Sequence, residues 1–543
     1  MGWREKLRYV RRRVKEEGPA GFVHAARAAC VKALCLPFAR QEKQQQEEMD
    51  RRWNAWTHAR EAACAPRPER FHLTLSFVVP VFNTDRLMLK ALLDRMLAQT
   101  CGQWEAVLYD ACSDRAETRG LLDDYARLDS RLQVIHAQAN EGIAQNTNRA
   151  LAYARGELIA LVDHDDTLAP DAVWHVLDAA AGGADLIYSD EDKLSEDGQR
   201  YYDPHLKPDF APDTLRAENY ICHLLVLRRE LMTAVGGLDP AMDGSQDHDL
   251  VLRASELARQ IVHIPVVLYH WRQNSRSFSH VQLEKCVRSG VRAVQNQLRR
   301  LSLPGNVVME ELHIRILPPE NQAPTVSLIV SGNPSPGWIR QMRASAGSPI
   351  LEIYSDGGDR RAAAGRAHGQ VAVFADAGCV PQEKNWLREL CLYALRLNVG
   401  CVGGPTMDRM SCYENAGYAF GEDGAILPCY EGGHYYGWTY RFGDRRVHNV
   451  SAVSGDLLAI RMDVLEKAGG YPEAEGMAAP ALLGLRCLEM GLLNVYTPYA
   501  ALTRRSGSKP PVQHLPPGCR AEERYRNPQF QQRNGAMLPE LPV

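Results

Sequence analysis

The chain has no long apolar run. Nowhere in its 543 residues does an uninterrupted stretch approach the roughly 20 residues that a membrane-spanning helix needs. The best candidate, Phe22–Ala39, is broken by His24, Arg27 and Lys32, and these charges argue against a signal peptide as well. Any membrane contact is therefore expected to be peripheral. Paired cysteines are also missing. The fourteen cysteines are scattered with no CxxC, which suggests neither a zinc site nor a disulfide framework and fits a reducing, cytoplasmic setting. Net charge is small, −3 at pH 7, so composition makes no case for a nucleic-acid partner. What is present, 45% hydrophobic and 24% charged residues, describes an ordinary folded protein too long for one core.

The most informative stretch is Leu158–Thr167, LIALVDHDDT. Leu158–Val162 reads as a strand buried on both faces, the pattern of a parallel sheet. It ends in Asp163, Asp165 and Asp166, at the edge where open α/β sheets bind ligands. Carboxylates this close repel one another unless a hard cation sits among them, and Mg²⁺ or Mn²⁺ suits such oxygens. The plainer reading is an acidic turn before a helix that starts near Pro170 and Asp171.

Residues 1–40 carry ten Lys/Arg against three Glu. Trp3, Leu7, Val10 and Val14 recur there at helical spacing beside Arg11, Arg12, Arg13 and Lys15. A basic amphipathic helix can lie on an anionic lipid surface or pack on its own protein. Gln41–Ala63 reads as a further helix. From Leu73 onward strands and helices alternate, predicting a mainly parallel sheet. Strands are expected at Phe77–Val79, Ala106–Tyr109, Leu132–His136 and Asp185–Tyr188. The acidic segment Ser189–Asp192 follows, Tyr201–Asp213 reads as an ordered loop, and Asn219–Leu227 as a strand. The organisation expected is a basic helical extension (1–70), an α/β domain (71–303), a linker (304–324), a second α/β domain (325–515) and a tail (516–543).

The second domain repeats the first. Ala459–Gly470 parallels Val226–Gly237, Arg486 follows Arg253 and Pro498 follows Pro265, all 233 positions apart. One offset over this span points to two copies of one architecture.

The first copy resembles the family 2 glycosyltransferases of the GT-A fold, most closely the bacterial branch that builds rhamnose-containing and other surface polysaccharides. The segments that carry the resemblance are Ser76–Asn83, Asp110–Ser113, Asn140–Asn148, Asp163–Asp166, Tyr188–Asp192, Gln246–Asp249 and Tyr269–Arg272, in the family's order. It implies tandem GT-A (nucleotide-diphospho-sugar transferase, Rossmann-like) domains and an inverting, metal-dependent transfer. The donor would be a UDP- or dTDP-linked sugar, and the acceptor a glycan or lipid-linked oligosaccharide. By resemblance, Pro80, Val81, Asn83, Asp110, Asn148 and Asp163 contact the nucleotide sugar. Asp165 and His270 would hold Mn²⁺ or Mg²⁺, and Asp247 would act as base. Asp190, Asp192, Gln246 and Trp271 are further candidates for donor or acceptor contact. Ala111 and Thr147 stand where many relatives have an acid and an arginine, which leaves the choice of nucleotide open.

The resemblance implies a degenerate second copy. At the constant offset Asp247 becomes Pro480 and His270 becomes Thr503, while Asp376 stands for Asp163 and Gly378 for Asp165. Pro480 cannot act as a base, and Gly378 offers no side-chain ligand. The aromatic stretch His434–Phe442 could stack on sugar or pack at an interface. Two rival readings remain from the residues. Val162–Thr167 also fits the DxDxT of haloacid-dehalogenase-type phosphatases, and two sugar-binding domains could form a non-catalytic scaffold.

Overall fold

A computed structural model of the chain describes residues 36–543 apart from 69, 275–282, 311–312, 321–323, 436–444 and scattered positions after 507 (508–510, 512, 520, 522, 526, 528–529, 534–535 and 540–543). The amphipathic basic stretch Trp3–Lys15, read as lying on a lipid surface or packing on its own protein, and most of the aromatic stretch His434–Phe442 lie outside the described residues. No helix among the described residues is long and apolar enough to cross a membrane.

The chain enters through helix α1 (Leu36–Ala62), whose Gln, Glu and Arg content favours helix without supplying an apolar face along its full length. It is held by a few deep anchors instead. Trp53 is fully buried against Leu194, Tyr201, Leu206 and Val267. Arg60 makes a two-pronged contact with Asp171 at 2.8 and 2.9 Å.

The first half is a β/α succession: β1 (Leu75–Val81), α2 (Arg86–Leu97), β2 (Trp104–Asp110), α3 (Ala116–Leu128), β3 (Leu132–His136), α4 (Ile143–Leu151) and β4 (Leu158–Leu161). After the acidic loop come β5 (Thr167–Leu168), α5 (Ala172–Ala181), β6 (Leu186–Leu194), β7 (Tyr201–His205), α6 (Pro212–Ala217), β8 (Leu225–Arg228), α7 (Arg229–Val235), α8 (Gln246–Leu257), β9 (Ile261–Arg272) and α9 (Leu283–Arg300). The sheet order is β3-β2-β1-β4-β8-β6-β9-β5, with β7 paired to β6. The β1, β2, β3 and β4 group is parallel, as the unbroken apolar runs imply. β8 runs antiparallel to both neighbours, so the sheet is mixed where a mainly parallel one was expected.

Two readings are corrected. The acidic segment Ser189–Asp192, expected to follow a strand ending at Tyr188, is the interior of β6, and Tyr201–His205 is a strand rather than part of a loop. Charged and aromatic letters concealed both strands because their polar side chains are paired inside the protein. β4 is the fourth strand of the succession, which removes the topology that the phosphatase reading needs.

A hairpin, Asn306–Glu310 with His313–Leu317, leads to the second half. Its sheet has Ile350–Ser355, Val326–Ser331, Val371–Asp376, Leu457–Arg461, Val399–Gly403 and Leu493–Tyr496 in that order, followed by His448–Val450. The first six repeat β2-β1-β4-β8-β6-β9 with every relative direction kept. Register repeats too. Leu158 opposes Arg228 as Val371 opposes Arg461, and Thr167 opposes His270 as Val380 opposes Thr503. The sequence repeat is thus a structural repeat, and the two halves are tandem α/β sheets. One apolar cluster continues from Val294 and Leu298 of α9 through Ile314 and Ile316 of the hairpin to Trp386 and Leu390.

Candidate active site

The C-terminal ends of β1 and β2 are stitched together. The Asn83 side-chain oxygen Oδ1 accepts from the backbone N–H of Asp114 at 2.8 Å and of Arg115 at 3.3 Å, and the Asn83 backbone N–H donates to Ser113 Oγ at 2.9 Å. Asp110 is fully buried and accepts from the Ser113 N–H at 3.0 Å and from His136 Nδ1 at 2.8 Å. Pro80 and Val81 end the neighbouring strand, with Val81 buried. Asn148 lies elsewhere in this scheme. Both ends of its amide bond the backbone of Leu238, at 2.8 and 2.9 Å. A Cβ on Gly237 (φ 73°) would stand 2.6 Å from its oxygen. The structure therefore gives Asn148 the work of holding a turn, in place of the predicted donor contact.

The acidic loop after β4 collects more than its own carboxylates. One ligand atom from each of Asp163, Asp166 and His223 lies within 4.8 Å of the others. The pairing of β4 with β8 explains this. Leu161 opposes Leu225, so the residues just after one strand meet those just before the other. The His223 ring stacks on Tyr269 with centroids 4.5 Å apart, and its Nε2 stands 3.8 Å from Asp163. Tyr269 donates its hydroxyl to Asp166 at 2.5 Å and accepts from the Asp163 N–H at 3.2 Å. Asp166, with no exposed surface, also accepts from the Arg272 N–H at 2.6 Å. Beneath, the buried Lys207 ammonium bonds the carbonyl of Ile221 at 2.6 Å and that of His223, while Glu191 accepts from the His223 N–H at 3.1 Å.

The carboxylates of this loop crowd one another. Asp166 is pushed well above the usual carboxylate range by burial and by the charges of Asp165 and Asp163. The Asp163 side chain is 56% accessible yet crowded by surrounding protein. That crowding, with Asp165 and Asp247 nearby, raises its pKa against the opposing pull of His223 and His164. The buried Nδ1 of His164 and Oγ1 of Thr167 have no hydrogen-bond partner. Two oxygens and an imidazole suit Mn²⁺ or Mg²⁺. Asp165 falls outside the set; its carboxylate stands 3.9 Å from His164, and its carbonyl accepts from Arg272 at 2.7 Å.

Asp247 lies in the first turn of α8, where the helix dipole favours a carboxylate. It is half-buried, accepts from the Asn219 amide at 2.8 Å, and lies near enough to raise the pKa of Asp163. Asp249, two residues on, pairs with Arg253 one turn further along.

Five further site candidates meet surroundings other than those expected. His270 is fully buried, and its ring donates to Asp192 from Nδ1 at 2.5 Å and to Glu61 from Nε2 at 2.8 Å. Burial opposes its charge, but the two carboxylates outweigh burial and lift its pKa to about 9. A doubly protonated ring has no lone pair for a metal. Asp192 is therefore the partner of His270 and of the Trp53 indole at 2.8 Å, with no free role toward a sugar. Asp190 is buried among His263, the Lys207 N–H and Asn527. Gln246 closes the turn before α8 by accepting from the Gly244 N–H at 2.8 Å, and Trp271 packs half-buried on the apolar core.

The His270 arrangement makes a testable pH dependence. Its folded pKa lies above the unfolded value, so its stabilisation is complete below about pH 6.5 and is lost as pH rises through about 9. Denaturant midpoints should fall across that window in the wild type, as the unfolding free energy drops by on the order of 3 kcal/mol at most. A His270→Asn variant should show a flatter profile over the same range.

In the second half the same positions are filled differently. Register equates Asp163 with Asp376, Asp166 with Cys379, His223 with Asp456 and Trp271 with Arg504. The Arg504 guanidinium bonds Asp456 at 2.8 Å and Glu414 at 2.6 Å, and stands 3.7 Å from Asp376. A fixed positive charge of the protein thus occupies the acidic centre. A Cβ on Gly378 would lie 2.3 Å from the Ser506 carbonyl oxygen, so no aspartate fits there without moving the backbone at Ser506.

Residues 76–231 match the profile of glycosyl transferase family 2. The chain is 33% identical to the uncharacterized protein y4gI of Sinorhizobium fredii over 79% of its own length and 52% of that protein's. It is 29% identical to the O-antigen biosynthesis protein RfbC of Myxococcus xanthus, over 85% of its length and 40% of that protein's. The chain thus spans about half the length of the curated relatives it matches, or less. Among solved structures, S. aureus TarS in complex with UDP-GlcNAc aligns with 41% of this chain and 66% of its own at 19% identity and a TM-score of 0.34. The chain carries a family 2 glycosyltransferase domain, with its strand-end acidic cluster inside the matched segment.

Proposed function

We propose that the first half transfers a sugar, with inversion, from a UDP- or dTDP-linked donor to a glycan or lipid-linked acceptor in bacterial surface polysaccharide synthesis. The convergence of Asp163, Asp166 and His223 beside the helix-start carboxylate Asp247 carries this reading, and the O-antigen name of one relative supports the product class. Asp110 and the stitched loop at Asn83 would receive the nucleotide. Asp163, Asp166 and His223 would hold a divalent cation, which when bound supplies positive charge against the diphosphate leaving group. Asn219 orients Asp247 so that its free oxygen can take the proton of an acceptor hydroxyl. That hydroxyl oxygen bonds to the anomeric carbon as the carbon–diphosphate bond breaks on the opposite face. Tyr269 and Arg272 keep the Asp166 carboxylate in place throughout.

A thermal-shift screen of UDP-, dTDP- and GDP-sugars, with and without Mn²⁺, tests the donor assignment. One UDP- or dTDP-sugar should raise the melting temperature only when metal is present. A shift of equal size in chelator would remove the metal from the account.

The second half, in this reading, is non-catalytic, because Arg504 takes the place of an ion and Pro480 that of the base. An Asp376→Asn variant should bind the same single Mn²⁺ per chain as the wild type. A lower Mn²⁺ count, read by electron paramagnetic resonance, would show that the second half holds metal after all.

A further inference from the structure

The short helix α6 ends just before the loop that carries Asn219 and His223, and it is gripped from outside its own half. Asp213 is buried, and its carboxylate accepts from Arg396 at 2.7 Å and from the Asn449 amide at 3.1 Å, both from the second half. Its own N–H donates to the Asn449 oxygen at 2.9 Å, and the Asn449 N–H donates to Thr214 Oγ1 at 3.2 Å. Arg216, inside the first half, adds a third donor to Asp213 at 2.9 Å. These charge-assisted bonds, in a buried setting, fix the position and rotation of α6. Two links lead from α6 to the start of α8. The Leu215 carbonyl accepts from His248 Nε2 at 2.7 Å, and Asn219 donates to Asp247. Asn449 follows the edge strand pairing in the second sheet, since its backbone opposes Val495. The grip is therefore rooted in the second sheet itself.

We propose that the second half acts as a clamp on the first. Asn449 and Arg396 are positioning residues that, through α6, set where Asn219 holds the Asp247 carboxylate. The consequence for catalysis rests on the reading of Asp247 as the base, whereas the clamp itself does not. This gives the degenerate copy a role that needs no ligand of its own. It also accounts for the retention of an intact second sheet around a centre closed by Arg504.

Hydrogen–deuterium exchange on the full chain tests the clamp without donor or acceptor. In Asn449→Ala, exchange should quicken about tenfold or more in residues 213–223 and 246–250, with β1, β2 and β3 unchanged. Exchanging the pair, Asp213→Asn with Asn449→Asp, lets the amide oxygen at 213 still accept from Arg396 and Arg216 while its NH2 donates to the new carboxylate at 449, and should return these segments to within about threefold of wild type. Should Asn449→Ala not fold, Thr214→Val removes one bond of the grip with little change of shape. It should quicken the same segments severalfold. Unchanged exchange at 213–223 and 246–250, or an equal rise throughout the first half, would overturn the proposal. Failure of Asp247 as the base would leave these exchange results untouched and would appear only in transfer rates.

Discussion

Asp163→Asn should melt at or above the wild-type temperature in chelator, yet lose the Mn²⁺-dependent rise. The sign follows from the raised pKa. Crowding and the charges of Asp165 and Asp247 make the ionised form of Asp163 less favourable in the folded chain than in the unfolded one. Stability therefore falls as pH rises from the unfolded value through the folded one, and Asp163 is a cost at neutral pH. A neutral amide of the same shape removes that cost and the ligand together. Affinity for Mn²⁺ should drop at least about 100-fold, and sugar transfer with it. A variant that melted far below wild type in chelator would show that Asp163 is a structural carboxylate instead.

Asp247→Asn carries the second large effect. Loss of a general base should reduce transfer by about 10²–10⁴-fold, while Mn²⁺ affinity and melting temperature stay close to wild type. The amide still meets Asn219, so the start of α8 has no reason to move. Turnover within a few-fold of wild type, using the donor found in the thermal-shift screen, would mean that another group takes the proton.

The acidic strand end and the repeat were both legible in the letters. Leu158–Val162 has the uniform apolar pattern of a central strand, and the 233-residue offset marked a second copy whose register the sheets share. What could not be read came from distant segments meeting. His223 was hidden in a stretch read wholly as strand. Only Leu225–Arg228 is strand, and the antiparallel course of β8 beside β4 brings His223, two residues before it, toward Asp163. The repeat did hold one signal, since His223 and its counterpart Asp456 are both ligand-type residues. His270 misled for a related reason. Its partner Glu61 lies 209 residues earlier on α1, a helix whose sequence shows no apolar stripe to announce a buried end. Once Glu61 and Asp192 enclose the ring, a residue type that usually binds metal becomes a buried cation.

The same contrast separates the letters Asp163-His-Asp165 from the structural set Asp163, Asp166 and His223. Mn²⁺ affinity measured by electron paramagnetic resonance in His223→Gln and Asp165→Ala decides between them. The arrangement around Tyr269 predicts at least about a tenfold weakening in His223→Gln and a smaller change in Asp165→Ala. Unaltered affinity in His223→Gln with loss in Asp165→Ala would contradict it and return the ion to the pair spaced by His164.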